Sequence, residues 1–178
     1  PLIFFLTLRR PPRTPPLPHT TRFRSQVMTT FFDDKKEQNK IAPVAMPIGN
    51  ELRTKYAGDF KNVSMASWNF GHVLAVGEKK ITGSGMWVES NFPSMFSLKM
   101  IKGNINALKD PSSVLLSASI AKALFGNASA INKTVKLDNR NDFKVAGVYE
   151  DLSHNTTLYD MKLLLPWKNY LTTEDWVK

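Results

Sequence analysis

Apolar and polar residues alternate most clearly around residue 140. In Thr134–Leu137 and Phe143–Tyr149, apolar side chains recur at every second position. That period places them on one face of a strand. The stretch between them, DNRND at residues 138–142, is short and polar, which is typical of a β-hairpin loop. The pattern therefore predicts two antiparallel strands with one packed face and one wetter face.

Shorter apolar runs predict further strands along the rest of the chain. These predicted strands are Lys61–Ser67, Val73–Val76, Lys80–Glu89, an extended run from Leu98–Ile101 to Gly103, Val114–Leu116 and Met161–Leu165. Gly77-Glu78 fits the turn of a hairpin that joins the second and third of these strands. Pro166 is expected to stop the last one, because proline cannot donate to a strand ladder.

Helical patterns are fewer and shorter. Met46–Ala57 repeats an apolar residue every fourth position and has Pro47 at its first turn, which predicts a helix. Asn91–Phe96 predicts a short helical turn. Ser117 or Ser119 can cap a third helix that runs to Phe125 and ends at Gly126. The chain lacks the regular βαβ alternation of a doubly wound sheet, so we predict an α+β fold: a mixed, mainly antiparallel sheet with two or three short helices.

The first 25 residues differ from the rest in composition. Six of the 11 prolines lie there, and the apolar run Leu2–Leu8 is far shorter than the roughly 20 residues that a membrane-spanning helix needs. Residues 1–25 are therefore predicted to be a disordered or non-native leader. Residues 26–178 are predicted to form the folded domain. Within it, residues 33–40, DDKKEQNK, are predicted to be an exposed loop.

Charge and cysteine content exclude several classes of function. The chain of 178 residues has a net charge of +9, and five arginines in residues 1–25 supply +5 of it, so the body is only mildly basic. This balance is weak evidence for nucleic-acid binding. With no cysteine, the chain cannot form disulfides, thiolate zinc sites or iron–sulfur clusters, and it has no cysteine nucleophile.

The sequence gives no constellation typical of catalysis. His19, His72 and His154 lack the spacing of a metal-binding motif, and Ser84 lies within a strand pattern rather than in a nucleophile elbow. Adjacent acids such as Glu150-Asp151 point to opposite sides of an extended chain. We therefore predict no catalytic, cofactor-binding or metal-binding residue, and no cofactor. The aromatic residues between positions 68 and 96 are predicted to pack mainly in the core.

A more specific signal lies in residues 113–167. A strand enters a short helix with the pattern Ser-x-x-x-Ala-x-x-Leu-Phe-Gly, filled by Ser117, Ala121, Leu124, Phe125 and Gly126. The segments that follow are Lys133-Thr134, Val145-Ala146-Gly147-Val148, Asp151-Leu152 and Asn155-Thr156. Over residues 41–170 the chain resembles the MacB-like periplasmic core domain, the extracytoplasmic part of ABC transporter permeases of the MacB/FtsX superfamily, in the style of Bacteroidetes members. Asn132 and Ser153 depart from that pattern, where glycine and proline are usual.

The resemblance implies a role as a binding and transmission module and not as an enzyme. The full-length protein would lie in the cell inner membrane, with this domain in the periplasm. Its implied partners are a cytoplasmic ABC ATPase, reached through a membrane region outside this sequence, a second permease copy, and a periplasmic adaptor or substrate; nucleic acid is not among them. Two alternatives stay open: an unrelated extracytoplasmic enzyme that uses His154 or Ser117, and a small basic nucleic-acid-binding domain.

Overall fold

The structure is a computed structural model that describes residues 2–8 and 24–173. The chain forms two compact units, residues 1–67 and residues 68–178. The predicted domain of residues 26–178 is thus divided between them. Each unit is described by itself below.

The first unit is built on three antiparallel strands. Strand β1, Leu2–Leu8, lies between β2, Arg24–Val27, and β5, Phe60–Ser67. Phe5 and Leu6 are buried, because this run of apolar residues is flanked by a partner strand on each side. The predicted disorder is therefore wrong for residues 2–8. Residues 9–23 lie outside the described residues, and a non-native origin of the leader stays a prediction.

The same unit contains a second, smaller sheet and a helix. Strands β3, Thr29–Phe32, and β4, Gln38–Ile41, pair as an antiparallel hairpin, so the loop predicted for residues 33–40 is wrong from Gln38 onward. The carboxylate of Asp33 accepts hydrogen bonds from the backbone N–H groups of Lys35 and Glu37, which closes the turn. Helix α1, Pro47–Lys55, begins at the predicted proline and packs against β5.

The second unit contains seven strands and three short α-helices among its described residues. The strands are β6, Phe70–Val76; β7, Lys79–Val88; β8, Met100–Gly103; β9, Ser113–Ser117; β10, Thr134–Leu137; β11, Asn141–Tyr149; and β12, Leu163–Pro166. The helices are α2, Phe92–Met95; α3, Ala118–Phe125; and α4, Trp167–Thr173. A 3₁₀ turn spans Ala107–Lys109.

Six strands of this unit pair in a closed circuit. Hairpin β6–β7 and hairpin β10–β11 are antiparallel, as are the pairs β12–β9 and β10–β6, whereas β7–β12 and β9–β11 are parallel. Strand β8 adds to β11 as an antiparallel neighbour. The predicted α+β class with a mixed, mainly antiparallel sheet is confirmed.

Strand β12 runs between two other strands of this unit. All of its residues are buried, and it pairs with β9 on one side and with β7 on the other. Helix α3 packs against β7, β9 and β11. At Gly83 an added Cβ would lie 2.9 Å from the Ile120 side chain, and at Gly85 it would collide with Leu163. These two glycines therefore let the side chains of Ile120 and Leu163 pack closely against β7.

Helix α4 was not predicted from the sequence. It begins directly after Pro166, the residue that marks the expected end of β12, so the proline separates a strand from a helix. Trp167 and Tyr170 are buried, and the Tyr170 ring lies 5.7 Å from that of Trp87. Within the described residues, none of the helices has the length and apolar character needed to cross a lipid bilayer.

Candidate functional site

Ser117 begins helix α3 as its N-cap. Its backbone is extended, and its Oγ accepts a hydrogen bond of 3.4 Å from the Ile120 N–H. The side chain is fully buried and its Oγ lies 3.0 Å from Ser119 Oγ. Gly126, at a φ of 61°, ends the helix and donates its N–H to the Lys122 carbonyl. The residues of the Leu-Phe-Gly motif thus define the two ends of α3, and the Ser117 hydroxyl is used for capping.

Asp151 extends this cap from the end of strand β11. Its carboxylate accepts hydrogen bonds from the Ser119 N–H at 2.8 Å, from Ser119 Oγ at 2.6 Å and from Lys162 Nζ at 2.9 Å. Ser119, Asp151 and Lys162 are called the Asp151 cluster below. The cluster joins the first turn of α3 to both ends of segment 151–162, and it places a negative charge where the helix dipole favours one.

The pKa of Asp151 is lowered by its partners. Partial burial acts to raise it, but the hydrogen bonds from Lys162 and from the side chain and backbone of Ser119, together with the Lys162 charge, outweigh that effect. Burial, and then the negative charge of Asp151, raise the pKa of the nearby Tyr149 phenol well above its usual value. Tyr149 stays neutral as a result and donates its O–H to the Met161 carbonyl at 3.0 Å.

Segment 151–162 is fixed at its base and exposed at its tip. Ser84 donates its Oγ–H to Asp160 at 2.7 Å and accepts the Lys162 N–H through its carbonyl at 2.8 Å. Towards the tip, the His154 ring lies 5.0 Å from the ring of the exposed Tyr159. Such a tethered surface loop resembles the compact loops that often carry contacts with partners.

Removal of the Asp151 charge gives a pH-dependent prediction. Because the folded-state pKa of Asp151 is lowered, its contribution to stability is present at neutral pH and is lost as the pH falls below the usual aspartate range. We expect Asp151→Asn to destabilise the protein at pH 7, and the loss should shrink as the pH falls towards 3. Urea unfolding at both pH values measures this. An equal loss at the two pH values would contradict the prediction.

A second polar arrangement joins β6 to the turn after β10. His72 Nδ1 lies 2.7 Å from Asp138 Oδ2, and the other carboxylate oxygen accepts the Val73 N–H at 2.8 Å. The Asp138 N–H donates in turn to the Val73 carbonyl at 2.8 Å. Asp138 has a φ of 49°, a left-handed conformation that aspartate tolerates better than most residues. We call this arrangement the His72–Asp138 clasp.

The clasp reinforces one of the two shortest strand pairings in the circuit. Strands β6 and β10 are paired over only two residues each, Leu74 and Ala75 with Leu137 and Lys136. Asp138 lengthens that pairing by binding Val73 through its backbone and its side chain. His72 and Asp138 are 66 residues apart in sequence, so no local pattern could indicate that they meet.

Loss of the clasp should lower stability. We expect Asp138→Ala to reduce the free energy of unfolding by about 2–3 kcal/mol, because it leaves the buried His72 Nδ1 without a partner. Asp142→Ala removes an acid of the same hairpin whose only described ion pair is an exposed contact of 3.9 Å with Lys136, and it should cost less than about 0.5 kcal/mol. Urea denaturation compares the two variants. Equal losses of unfolding free energy in the two variants would show that the negative charge of the hairpin stabilises the protein and that the His72–Asp138 clasp adds nothing to it.

A cavity of about 270 Å³ opens beside the clasp. Strands β6, β7, β10 and β11, the turn between β10 and β11 and the end of α4 contribute to its wall. The residues that line it are His72, Trp87, Leu137, Asp138, Arg140, Asn141 and Thr173. His72 stands edge-on to Trp87, with ring centroids 6.4 Å apart. The cavity therefore has an aromatic wall and a polar rim that contains the acid Asp138 and the base Arg140.

Ser117 and His154, the residues named for the enzyme alternative, contact different parts of the protein. Ser117 caps α3, whereas His154 contacts Tyr159 in segment 151–162, and the described hydrogen bonds join neither residue to the other. His19 lies outside the described residues. In residues 2–8 and 24–173, no three His, Cys, Asp or Glu side chains are grouped so that they could hold a metal ion.

The aromatic residues between positions 68 and 96 divide into two groups. Trp87 and Phe92 are buried as predicted, and Phe96 stacks on Phe92 with a centroid distance of 4.4 Å. Trp68 and Phe70 are exposed by 39% and 42%. The prediction that most of these rings lie in the core therefore fails at the start of β6.

Several solved structures share the fold. A permease domain from Porphyromonas gingivalis is 18% identical, with a TM-score of 0.63 over 94% of this chain and 62% of that one. The periplasmic region of MacB from Actinobacillus actinomycetemcomitans is 19% identical, with a TM-score of 0.61 over 97% of this chain and 67% of that one. The extracellular domain of YknZ, a noncanonic ABC-type transporter from Gram-positive bacteria, is 17% identical. Its TM-score is 0.58 over 73% of this chain and 66% of that one.

These structures are longer than the present chain, which spans about two thirds of their length. No curated protein matches the sequence. The MacB-like periplasmic core domain family matches residues 20–177, which include α3, the Asp151 cluster and the clasp. The chain therefore belongs to the family of MacB-like periplasmic core domains.

Proposed function

We propose that this chain is the periplasmic part of an ABC transporter permease and that it passes ATP-driven conformational change to a substrate or partner protein. The full-length permease would lie in the cell inner membrane. The observation that carries the proposal is the family match over residues 20–177, supported by the shared fold of permease and MacB domains. In this role the domain is not an enzyme. It moves as a rigid body that transmits movement, and we call this the lever role below.

The architecture of the second unit suits a lever. A domain that transmits movement must keep its shape while its position changes. The closed circuit of six strands ties every strand of the circuit to two neighbours. The Asp151 cluster fixes the base of segment 151–162 to α3. Force applied at one point of this unit would therefore move it as a body.

The proposed partners follow from the family. A cytoplasmic ATPase would act through membrane-spanning segments outside this sequence, and a second permease copy would complete the transporter. A periplasmic adaptor or a substrate would contact the exposed surface, for which segment 151–162 is our candidate because its tip carries the exposed Tyr159. Nucleic acid is not a proposed partner.

Distance measurements in the intact permease with its ATPase test this proposal. These 178 residues contain no cysteine, so cysteines introduced at Tyr159 and Lys122 give unambiguous sites for spin labels once any cysteines elsewhere in the permease are replaced. With one label at Tyr159 in each copy, we expect the distance between copies to change when ATP binds. With both labels in one copy, the distance should stay the same. A constant distance between copies, or a changing one within the domain, would contradict the proposal.

Nucleotide assays on the 178-residue chain give a further prediction. The chain carries no glycine-rich phosphate loop, so we expect it neither to bind nor to hydrolyse ATP. Turnover measured on the purified chain, with the intact transporter as the positive control, would show this. ATP hydrolysis that persists through purification would favour the enzyme alternative.

A further inference from the structure

One residue in the wall of the cavity beside the clasp carries a buried polar atom that the described part of the protein leaves unsatisfied. His72 is only 8% exposed, and its Nδ1 is bonded to Asp138, yet its buried Nε2 has no hydrogen-bond partner in the part of the chain that the structure describes. Buried ring nitrogens without a partner are rare in folded proteins. The atom therefore points to a group that comes from outside the chain.

Arg140 supplies an unpaired cation at the same cavity. It follows the left-handed pair Asp138-Asn139 and lines the cavity together with Asn141. Among the described residues it forms no ion pair, although Asp138 is only two positions away and also lines the cavity. A guanidinium beside a side-chain amide is suited to a carboxylate, which accepts two parallel hydrogen bonds from arginine.

Asp138, in the same cavity wall, can accept a further hydrogen bond. Each carboxylate oxygen of Asp138 already receives one bond, from His72 or from Val73, and keeps a further lone pair. If the Nδ1–H of His72 donates to Asp138, then Nε2 is also an acceptor. The cavity thus presents a donor pair for a carboxylate and, close by, acceptors for an N–H group.

We propose that this cavity binds the carboxyl end of an amino acid, either free or as the last residue of a peptide chain. The carboxylate would bind Arg140 and Asn141, and the adjacent amino or amide N–H would donate to Asp138 or, after a small shift of the ring, to His72. A side chain would pack on Trp87 and Leu137. This binding site is independent of the lever role proposed above.

The size of the cavity limits the ligand. Its volume of about 270 Å³ is just below the usual range for small-molecule sites, which starts at roughly 300 Å³. A single amino-acid residue suits that volume, and the cavity is open, so the rest of a peptide chain can extend into solvent. The aromatic wall favours an apolar side chain over a charged one.

Titration with three related compounds tests the proposal. L-leucine, N-acetyl-L-leucine and L-leucinamide are titrated into the purified chain, and chemical shifts of the His72 ring and the Trp87 indole are followed by NMR. We expect millimolar binding of one or both carboxylates and at least about tenfold weaker binding of leucinamide, which lacks the charged acceptor. Binding of leucine alone would identify a free amino acid as the ligand, and binding of the acetylated form would identify a chain terminus.

Charge variants separate a built site from general attraction. Arg140→Gln should weaken binding by at least about tenfold. Lys122→Gln removes an exposed cation of α3, which is not part of the cavity wall, and should leave binding unchanged. No binding at millimolar concentrations, equal binding of leucinamide, or equal losses in the two variants would overturn the proposal. The result is independent of any ATPase measurement, so its failure would leave the lever proposal intact.

Discussion

Leu164→Ala is expected to lower the free energy of unfolding by about 2–5 kcal/mol, the range for emptying a fully buried leucine site. Leu164 is paired with Met86 of β7 on one side and with Leu115 of β9 on the other. All three residues are almost completely buried. A cavity here loosens a strand that has partners on both sides, so the surroundings can collapse only partly.

Leu171→Ala is the matched control, because it removes the same atoms from a side chain of α4 that is 36% exposed. It should cost less than about 1 kcal/mol. Urea unfolding followed by tryptophan fluorescence measures both variants. A similar loss in the two would mean that the burial of Leu164 between β7 and β9 does not determine the loss of stability.

Elements whose partners are close in sequence were predicted well. The β10–β11 hairpin was predicted from alternation and a polar loop, and β10 has the predicted bounds, Thr134–Leu137. Helix α3 lies within one residue of its prediction, because a serine cap and a glycine stop define both ends. These signals depend on a few neighbouring residues, and local physical chemistry decides their outcome.

Elements that depend on distant partners were missed. Strand β1 lies within residues 1–25, for which the prediction was a disordered or non-native leader, since nothing near Leu2–Leu8 shows that β5 lies beside it, more than 50 residues later. Helix α4 follows a proline that ends a strand, and its buried face is defined by Trp87 in another strand. In both cases tertiary contacts supply the stabilisation, and the local pattern is too short to indicate them.

The candidate site shows the same division. The family motif includes Ser117 and Asp151-Leu152, but spacing alone does not show that Asp151 caps the helix that Ser117 begins, through Ser119. The clasp and its cavity combine residues from β6, β7, the β10–β11 turn and α4. No pair of these residues forms a recognisable sequence motif. Only the three-dimensional circuit of strands brings them together.

Gly103→Ala is expected to destabilise the second unit by about 2–5 kcal/mol, through backbone strain and overpacking combined. Gly103 has a φ of 82°, which residues with a Cβ rarely adopt, and it is paired with Gly147 of β11. An added Cβ would collide with the Ala146 carbonyl oxygen and lie 2.6 Å from Gly147 Cα. Because these contacts are with backbone, β8 can relieve them only by moving away from β11.

Gly71→Ala is the control for this substitution. Gly71 also lies in a strand, β6, but an added Cβ there meets no atom within 4 Å, and its φ is not positive. It should change stability by less than about 1 kcal/mol. In Gly103→Ala, amide hydrogen exchange should accelerate at Val148, which faces Lys102 of β8, while the β10–β11 hairpin stays protected. Unchanged exchange at Val148 would show that β8 tolerates the methyl group, and it would contradict the close backbone approach on which this prediction rests.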